Sequence, residues 1–319
     1  MIFTITANPA MDKIFVLHDF RLNVTNRIDR MFKCIGGKGT HISVNLSILG
    51  IKSTALGVVN GRTGAEIIRE LKRFKAIQID FLRTRRGESR TNYVLVDGTD
   101  CTLISQKGNR MNHEEAEFFE KKLDDLVKPD DIVAISGDIS NGDSLNIQGR
   151  LMDITNRRGG RVFLDCSGEA LIQGVKKKPF LVKPNVDELS YFCGRNLVTK
   201  QEILVGMREM SSCGIRMIVV SCGSEGSLVF SDGKYYNVIV PTVQIKNTVG
   251  CGDALVAGLL AGFEQKMDTI ENVKRANAIA AATAMDETTV GFDLGIVDDL
   301  MQRVMVEEIS DIGESAWGK

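Results

Sequence analysis

Short runs rich in Ile, Val and Phe alternate along this chain with longer segments of helical pattern, and this alternation limits the available folds more than any other feature. Such alternation is typical of a sheet whose faces are covered by helices. We predict six strands from these runs, at residues 2–6, 54–59, 131–136, 161–165, 180–183 and 217–221. The predicted fold class is therefore α/β, with a largely parallel sheet.

Two of the helical segments have a clear start signal. Asn112 precedes the segment 113–127, with Glu115 three residues further on, and Thr199 has the same relation to Glu202. A polar side chain that accepts from the third helical amide, paired with a Glu at that third position, forms a capping box. We therefore expect helices to begin directly after Asn112 and Thr199.

Two stretches, at about 13–33 and 88–105, break the alternation. Within the second, residues 92–96 and 101–105 flank a glycine-containing turn and are predicted as a β-hairpin. An insertion of this kind often covers a binding site, so we expect the two stretches to form a small β lid. A further hairpin, at 226–240, is expected near the edge of the main sheet. Because no repeat or linker is present, we expect one domain over residues 1–319.

The composition excludes several classes of protein. Of the 319 residues, 43% are hydrophobic and 25% are charged, as in ordinary globular proteins. A net charge of −1 argues against nucleic acid or a membrane surface as a partner. No apolar run approaches the roughly 20 residues of a membrane span and no signal peptide is present, so we expect a cytoplasmic location. The seven cysteines form no C-x-x-C pair, and the three histidines are too scattered for a zinc site.

The first motif that could carry chemistry lies late in the chain, where Gly250, Cys251, Gly252 and Asp253 precede an apolar helical run. Glycines allow a sharp turn, and unpaired amides at a helix N-terminus stabilise an anion such as a transferring phosphoryl group. The carboxylate of Asp253 could then accept the proton of an attacking hydroxyl. The motif alone leaves a second interpretation open, in which Asp253 only interacts favourably with the helix dipole.

A second glycine-rich motif, near the N-terminus, consists of Gly36, Gly37, Lys38 and Gly39 and precedes another predicted helix. Its glycines permit close approach of the backbone to a ligand, and Lys38 adds a cation suited to a phosphate or a polyol. The spacing matches neither the G-x-x-x-x-G-K-[ST] phosphate loop nor the G-x-G-x-x-G dinucleotide motif. A turn that merely opens the helix is the alternative.

The third motif follows the predicted strand at 180–183 and consists of Lys183, Pro184, Asn185 and, three residues later, Glu188. In a starting helix Asn185 and Glu188 would face one side, where an amide and a carboxylate could hold a hydrated magnesium ion near phosphates. The alternative is a capping box, with Asn185 as the N-cap and Glu188 as its partner. The two interpretations are compatible.

The order and spacing of these three motifs resemble the PfkB (ribokinase-like) family of ATP-dependent carbohydrate kinases, over nearly the whole chain. Further segments resemble the branch that contains 1-phosphofructokinase and tagatose-6-phosphate kinase, and these are residues 6–12, 26–27, 89–92, 165–168 and 181–185. The resemblance implies a ribokinase-like three-layer sandwich, with a mostly parallel central sheet, flanking helices and a small β lid. It also implies ATP as the phosphoryl donor and Mg²⁺ as a cofactor.

The resemblance also assigns roles to individual residues. Asp253 is implied as the catalytic base, with an anion hole formed by the amides of Gly250, Cys251 and Gly252. The implied sugar-phosphate contacts are Asp12, Gly37, Lys38, His41, Arg90 and Asp253. Among them, Lys38 and Arg90 would hold the phosphate already present on the sugar. The implied magnesium-organising pair is Asn185 and Glu188, and the implied ATP contacts are Lys183, Asn185, Ser221, Gly223, Gly226 and Asn277.

Three positions depart from the pattern of that branch. His41 stands where a sugar-contacting asparagine is usual, and a neutral imidazole offers one ring donor where an amide offers two and a carbonyl. Asp138 brings an acid near the expected sugar phosphate, which it would repel unless it points away or meets a cation. Cys251 stands where alanine is usual, and because a helix N-terminus lowers the pKa of a thiol, it could be reactive.

We therefore expect a kinase that converts a hexose monophosphate into a bisphosphate, with fructose 1-phosphate, phosphorylated at O6, as the expected substrate. Tagatose 6-phosphate is the alternative substrate. A kinase of a non-phosphorylated sugar or a nucleoside is a further alternative, against which Lys38 and Arg90 argue. A sugar-phosphate binder without turnover is another, against which Asp253 argues because binding alone needs no base. The exposed edge of a β lid also leads us to expect a homodimer formed through the lid.

Overall fold

The computed structural model describes residues 1–98, 100–137 and 146–310. In this part of the chain the strands are β1 (Ile2–Thr6), β2 (Ala10–Leu17), β3 (Arg30–Gly36), β4 (Ser53–Asn60), β5 (Ile77–Thr84), β6 (Arg90–Asp97), β7 (Asp100–Ser105), β8 (Ile132–Ser136), β9 (Arg161–Asp165), β10 (Leu181–Val182), β11 (Met217–Ser221), β12 (Ser227–Ser231), β13 (Lys234–Ile239) and β14 (Met305–Ile309). The helices are α1 (Lys38–Ile48), α2 (Gly61–Leu71), α3 (His113–Leu126), α4 (Ile147–Arg157), α5 (Gly168–Val175), α6 (Val186–Cys193), α7 (Lys200–Ser211), α8 (Cys251–Glu264), α9 (Thr269–Ala284) and α10 (Leu294–Arg303).

The main sheet has ten strands within the described residues, in the order β14-β13-β12-β11-β10-β9-β8-β1-β4-β5. Its seven strands from β11 to β5 pair in parallel, as in the register of Ile2 with Ser53 and with Ile132. The remaining three, β12, β13 and β14, continue the sheet antiparallel at one edge. The largely parallel sheet and the edge hairpin are therefore confirmed.

Helices cover both faces of this sheet because successive residues of each strand point to opposite sides. Ile2 packs in one buried cluster with residues of α1, α8 and α9, such as Leu46 and Leu259. Phe3, the next residue, packs in the other cluster with residues of α3 and α4, such as Leu123. Each such buried aliphatic side chain contributes about 1.5–3 kcal/mol of transfer free energy. The result is the expected three-layer arrangement of helix, sheet and helix.

Capping boxes fix the starts of three helices. The Asn112 side chain accepts from the amide of Glu115, and the Glu115 carboxylate accepts from the amide of Asn112. The same reciprocal pair of bonds joins Thr199 to Glu202 at the start of α7. Both predicted helix starts are confirmed, and a third capping box begins α6.

A second sheet of four strands, in the order β3-β2-β6-β7, forms the lid. Its register aligns Asp12 with Asn92 and Ile14 with Val94, so these side chains share one face, which we call the inner face. At one end of the lid, Arg30 donates two hydrogen bonds of 2.8 and 2.9 Å to Glu287 of the main body. The inner face thus carries polar groups at one end and an apolar cluster at the other.

Several element boundaries differ from the sequence prediction. The lid strands begin earlier than residue 13, because β2 starts at Ala10, and they end later than residue 33, because β3 ends at Gly36. The strand expected at 180–183 is reduced to Leu181–Val182. Two strands, β5 and β14, were not predicted. In the described part of the chain, no helix combines the length and apolar character required to cross a membrane.

Candidate active site

Two adjoining cavities lie beside the carboxyl ends of the parallel strands, and lid residues line one of them. The first, which we call the polar cavity, has a volume of about 470 Å³, and its lining includes Asp12, Lys38, Arg90, Lys183 and Asp253. The second, which we call the apolar cavity, has a volume of about 350 Å³, and its lining includes Val240, Val243, Leu255, Ala280 and Ala281. Both cavities are also lined by Asn185, Ser221 and Gly252. They therefore meet at the first turn of α8.

The first turn of α8 is held in place by a residue that has to be glycine. Gly250 has a φ of +90°, and a Cβ built on it would lie 1.9 Å from the carbonyl oxygen of Thr289. The helix begins directly afterwards at Cys251, so its first amides have no partner four residues back. The amide of Cys251 approaches the carbonyl of Thr248 only at 3.4 Å. This end of the helix can therefore stabilise an anion where the two cavities meet.

Asp253 lies in the same turn and is almost fully buried. Its Oδ2 atom is 2.7 Å from Nδ1 of His41, which belongs to the first turn of α1. The other ring nitrogen of His41, Nε2, is 2.9 Å from the carbonyl oxygen of Ile35 and 3.5 Å from Oδ2 of Asp12. Among the described residues, Oδ1 of Asp253 has no hydrogen-bond partner, and it belongs to a residue that lines the polar cavity. A carboxylate in this position can accept a proton from a bound hydroxyl.

Asp12 is held in β2 by several donors. Asn92 donates to its Oδ1 atom at 2.7 Å, and the hydroxyl of Thr289 donates to its Oδ2 atom at 2.9 Å. Burial would raise the pKa of Asp12, but His41, Asn92 and Thr289 outweigh this effect and lower it. Gly36 makes room for this carboxylate, since a Cβ there would lie 1.8 Å from Oδ1. Asp12 is therefore an ionised acceptor at neutral pH. It lies within strand β2 of the lid.

Two lysines of the polar cavity share one buried carboxylate. Asp165, the last residue of β9, has its Oδ2 atom 3.2 Å from Nζ of Lys38 and its Oδ1 atom 3.2 Å from Nζ of Lys183. Burial would raise the pKa of Asp165, but the positive charges of Lys183 and Lys38 lower it. Lys183 is buried, whereas the Lys38 side chain is 39% exposed. Asp165 therefore fixes two cations on the same side of the cavity, and Lys38 retains access to it.

Arg90 opens strand β6 at the rim of the polar cavity. Its Nε atom donates to the carbonyl oxygen of Asn8 at 3.0 Å, and its Nη1 atom donates to the hydroxyl of Ser105 at 2.7 Å. These bonds join the guanidinium to the polar end of the inner face of the lid. Arg90 is therefore a third cation of the polar cavity, supplied by the lid and not by the main body.

Asn185 and Glu188 form a capping box at the start of α6. The amide of Asn185 donates to Oε2 of Glu188 at 2.9 Å, and the amide of Glu188 donates to Oδ1 of Asn185 at 2.7 Å. The capping interpretation is thus confirmed. Both residues also line the polar cavity, so the same bonds hold an amide and a carboxylate beside the junction of the cavities.

The predicted site residues all line one of the two cavities. The apolar cavity contains Ser221, Gly223, Gly226, Cys251 and Asn277. Lys183, which was grouped with the ATP contacts, lines the polar cavity instead. Asp138 lies outside the described residues. The expectation of a reactive thiol is wrong, because burial, with the charge of Asp253, raises the pKa of the Cys251 thiol to about 12.

Three residues of the site were not predicted to have a role, although Asp165 and Asn92 lie in segments that carry the family resemblance. Asp165, Asn92 and Thr289 are all buried. Each contacts a charged group that is 80 or more residues away, as in the separation of 277 residues between Thr289 and Asp12. Only Asp165 also contacts a nearer one, Lys183. A polar side chain at the end of a predicted strand was the one available signal, and it applies to Asp165.

Comparisons with known proteins agree with this fold. A protein from Thermotoga maritima named "possible 1-phosphofructokinase" is 25% identical, with a TM-score of 0.87 over 97% of this chain and 100% of that chain. Phosphofructokinase-2 from Escherichia coli in complex with substrates and products is 23% identical, with a TM-score of 0.88 over 95% of this chain and 98% of that chain. Its tetrameric inhibited form is 22% identical, with a TM-score of 0.83 over the same shares. Residues 6–291 match the pfkB family of carbohydrate kinases. Because these residues make up most of the chain, the chain belongs to the pfkB family of carbohydrate kinases.

Proposed function

We propose that this carbohydrate kinase transfers a phosphoryl group from ATP to a free hydroxyl of a hexose monophosphate and so produces a bisphosphate. The substrate that we propose is fructose 1-phosphate, phosphorylated at O6 to give fructose 1,6-bisphosphate. The alternative is tagatose 6-phosphate, phosphorylated at O1. The observation that carries the proposal is that one cavity combines the carboxylate of Asp253 with the cations of Lys38 and Arg90.

The two cations favour a sugar that already carries a phosphate. A neutral hexose needs hydroxyl-binding groups such as Asp12 and Asn92, but it offers no charge for an ammonium and a guanidinium. A phosphate monoester carries negative charge, and its oxygens suit both the planar fork of Arg90 and the point charge of Lys38. A free sugar or a nucleoside has no anionic group that these two cations could bind.

In the proposed reaction, Asp253 takes the proton of the attacking hydroxyl, and the hydroxyl oxygen forms a bond to the γ-phosphorus of ATP. The bond from that phosphorus to the β–γ bridging oxygen breaks, and ADP leaves. The amides of Gly250, Cys251 and Gly252 stabilise the charge on the transferring group. Phosphoryl transfer depends mainly on positioning and on charge neutralisation, so no covalent nucleophile is required.

The apolar cavity fits the base and ribose of ATP in this proposal. Its lining combines aliphatic side chains with the small residues Ser221, Gly223 and Gly226, which allow close approach of a ligand. Asn277 borders this cavity from α9. The triphosphate would then extend past Gly252 toward Lys183, whose Nζ atom would lie 3.5 Å from a Cβ built on Gly252.

The residues beside the junction fit a magnesium ion. Mg²⁺ binds oxygen ligands and keeps several waters, so one or two protein oxygens together with phosphates suffice. In the capping box, only Oε2 of Glu188 accepts from the amide of Asn185, which leaves Oε1 outside that bond. Asn185 and Glu188 would hold the hydrated ion, which neutralises charge on the phosphates of ATP when it is bound.

The proposal is tested by measuring ADP release with ATP, Mg²⁺ and a panel of sugars. The panel contains fructose 1-phosphate, tagatose 6-phosphate, fructose 6-phosphate and the free hexoses. We expect the highest kcat/KM with fructose 1-phosphate, and preference for tagatose 6-phosphate would select the alternative substrate. Higher activity with a free sugar or a nucleoside would overturn the proposed substrate class. Ligand-induced stabilisation without ADP release from any sugar would identify a binder without turnover.

The role of Asp253 is tested separately. Asp253→Asn should lower kcat by about 10²–10⁴-fold, as expected for the loss of a general base. Asp298→Asn, a change of the same kind at an exposed position of α10, is the matched control and should leave kcat unchanged. Full activity of Asp253→Asn would overturn its assignment as the base.

We also propose that the protein forms a homodimer through its lid. Large apolar side chains are exposed on the outer side of the lid and on the connection between β2 and β3, namely Leu22, Val24, Ile28, Met31 and Ile104. Exposed clusters of this kind mark association surfaces. Sedimentation equilibrium should give a dimer for the wild type and a monomer for a Leu22→Glu, Met31→Glu double variant. A monomeric wild type would overturn this part of the proposal.

A further inference from the structure

His41 lines the polar cavity, yet its side chain is only 4% exposed. Both ring nitrogens face protein oxygens: Nδ1 faces the carboxylate of Asp253 at 2.7 Å, and Nε2 faces the carbonyl of Ile35 at 2.9 Å. A sugar hydroxyl would have to displace one of these partners to bind the ring. The contacts of His41 are therefore with protein groups, and its effect on the sugar passes through them.

The partners also determine how many protons the ring carries. A carbonyl oxygen only accepts hydrogen bonds, so Nε2 must carry a proton to bond with Ile35. An ionised carboxylate also only accepts, so Nδ1 must carry a second proton to bond with Asp253. Burial would lower the pKa of His41, but Asp12 and Asp253 outweigh it and raise it well above its usual value. These contacts correspond to an imidazolium ring between two carboxylates.

We propose that His41 is a positioning residue that, as an imidazolium, holds Oδ2 of Asp253 and keeps Oδ1 available for the hydroxyl of the sugar. The same positive charge lies 3.5 Å from Oδ2 of Asp12, so it links the proposed base to the proposed sugar-binding carboxylate. This inference rests on the proposed function, because it concerns how the base of that reaction is oriented.

The two carboxylates need such a partner. Asp12 and Asp253 are both almost fully buried, with 1% and 6% of their surface exposed. Two like charges in one buried site repel each other, and a cation between them offsets this repulsion. An asparagine at position 41 could donate to one of the carboxylates but would bring no charge. In the transfer step His41 keeps both protons, and the proton of the hydroxyl goes to Asp253.

Other titratable groups face His41 from the elements packed against it. They are Asp12 from β2, Cys34 from β3 and Asp253 from α8. Burial raises the pKa of the Cys34 thiol, so this group is neutral at physiological pH. The two carboxylates are thus the anionic groups that face the ring, and Lys38 adds a second positive charge near Asp253.

The first test is the ¹⁵N spectrum of the ring of His41 in the wild-type protein at neutral pH. We expect both nitrogens to show the shifts of a protonated imidazolium, without a sugar or ATP present. A neutral tautomer would overturn the inference. Because this measurement needs neither turnover nor a variant, it remains decisive if the proposed function fails or if a variant does not fold.

The second test is a double-mutant cycle of His41→Asn and Asp253→Asn, with His113→Asn at an exposed position as the control. His41→Asn should lower kcat by about 10²-fold, as expected for a misplaced reacting group, while the KM for the sugar phosphate changes little. In the Asp253→Asn background, His41→Asn should cause no further loss of kcat. The kcat of the wild type should also decline at alkaline pH, whereas the kcat of the His41→Asn single variant should not. An equal loss in both backgrounds would overturn the inference, whereas failure of the proposed function would appear in the sugar panel instead.

Discussion

The Nζ atom of Lys183 lies 3.2 Å from Oδ1 of Asp165, and this ion pair is closed off from solvent. The other oxygen of the same carboxylate accepts from Lys38 at 3.2 Å. Lys183 lies beside the start of α8, whereas Lys38 opens α1. One buried carboxylate therefore holds two cations, Lys183 next to the proposed phosphoryl-transfer end of the site and Lys38 at the proposed sugar end.

The first prediction concerns this carboxylate. Asp165→Asn should lower the free energy of unfolding by about 3 kcal/mol, because removal of one partner leaves the buried charge of Lys183 uncompensated. Urea denaturation at neutral pH measures the loss. The matched control is Asp124→Asn, since Asp124 pairs with Arg157 and Arg158 at the surface, and this change should have little effect. Equal stability losses in the two variants would contradict a structural role of the buried pair.

The second prediction concerns the turn before α8. Gly250→Ala should be destabilising for two reasons: a left-handed φ costs about 1–2 kcal/mol for an alanine, and the new Cβ would meet the carbonyl of Thr289. Gly233→Ala isolates the first effect, because Gly233 has a φ of +87° and no atom within 4 Å of its Cβ position. We expect a larger loss of unfolding free energy at position 250, and a loss of kcat only there. Similar losses at both positions would contradict the close contact with Thr289.

Much of the fold follows from local sequence, because local chemistry determines the elements concerned. Residues 2–6, 161–165 and 217–221 are short apolar runs, and each coincides with an observed strand. Strand β14 could not be recognised in the same way, since two of its five residues are glutamates. It exists as a strand because its backbone pairs with β13 at the edge of the sheet. That pairing depends on the tertiary arrangement and leaves no periodic pattern.

The parts of the candidate site that a single local motif forms could be predicted from the sequence. The parts in which distant segments come together could not. The glycine-rich turns and the capping box of Asn185 are local, so their residue types identify them. The bond between His41 and Asp253 joins residues 212 positions apart. Only the folded chain brings the two together, and no local sequence pattern pairs His41 with Asp253. The bonds of Asp165 and Thr289 escaped prediction for the same reason.

The third prediction concerns the lid cation. Arg90→Ala should raise the KM for a phosphorylated sugar by about 10- to 100-fold, the cost of a lost charge-assisted hydrogen bond. The KM for the corresponding free sugar should change little, because that sugar has no phosphate for the guanidinium to bind. Arg85→Ala removes an exposed arginine from the connection between β5 and β6 and serves as the control. Steady-state kinetics with both sugars measures the effect, and equal increases in KM for the two sugars would contradict a phosphate contact.

The last prediction concerns stability as a function of pH. Against the effect of burial, Asp12 and Asp253 raise the pKa of His41 well above its usual value, so the folded state binds this proton more tightly than the unfolded chain does. The resulting stabilisation is fully present below the unfolded pKa of about 6.5 and is lost as the pH rises through the folded pKa. Over this window the unfolding free energy of the wild type should fall relative to that of His41→Asn by up to about 1.4 kcal/mol per pH unit. Urea denaturation of both proteins from about pH 6 to about pH 10 measures this difference, in which the titrating groups that do not interact with His41 cancel. A difference that does not change with pH would show that the pKa of His41 is not raised.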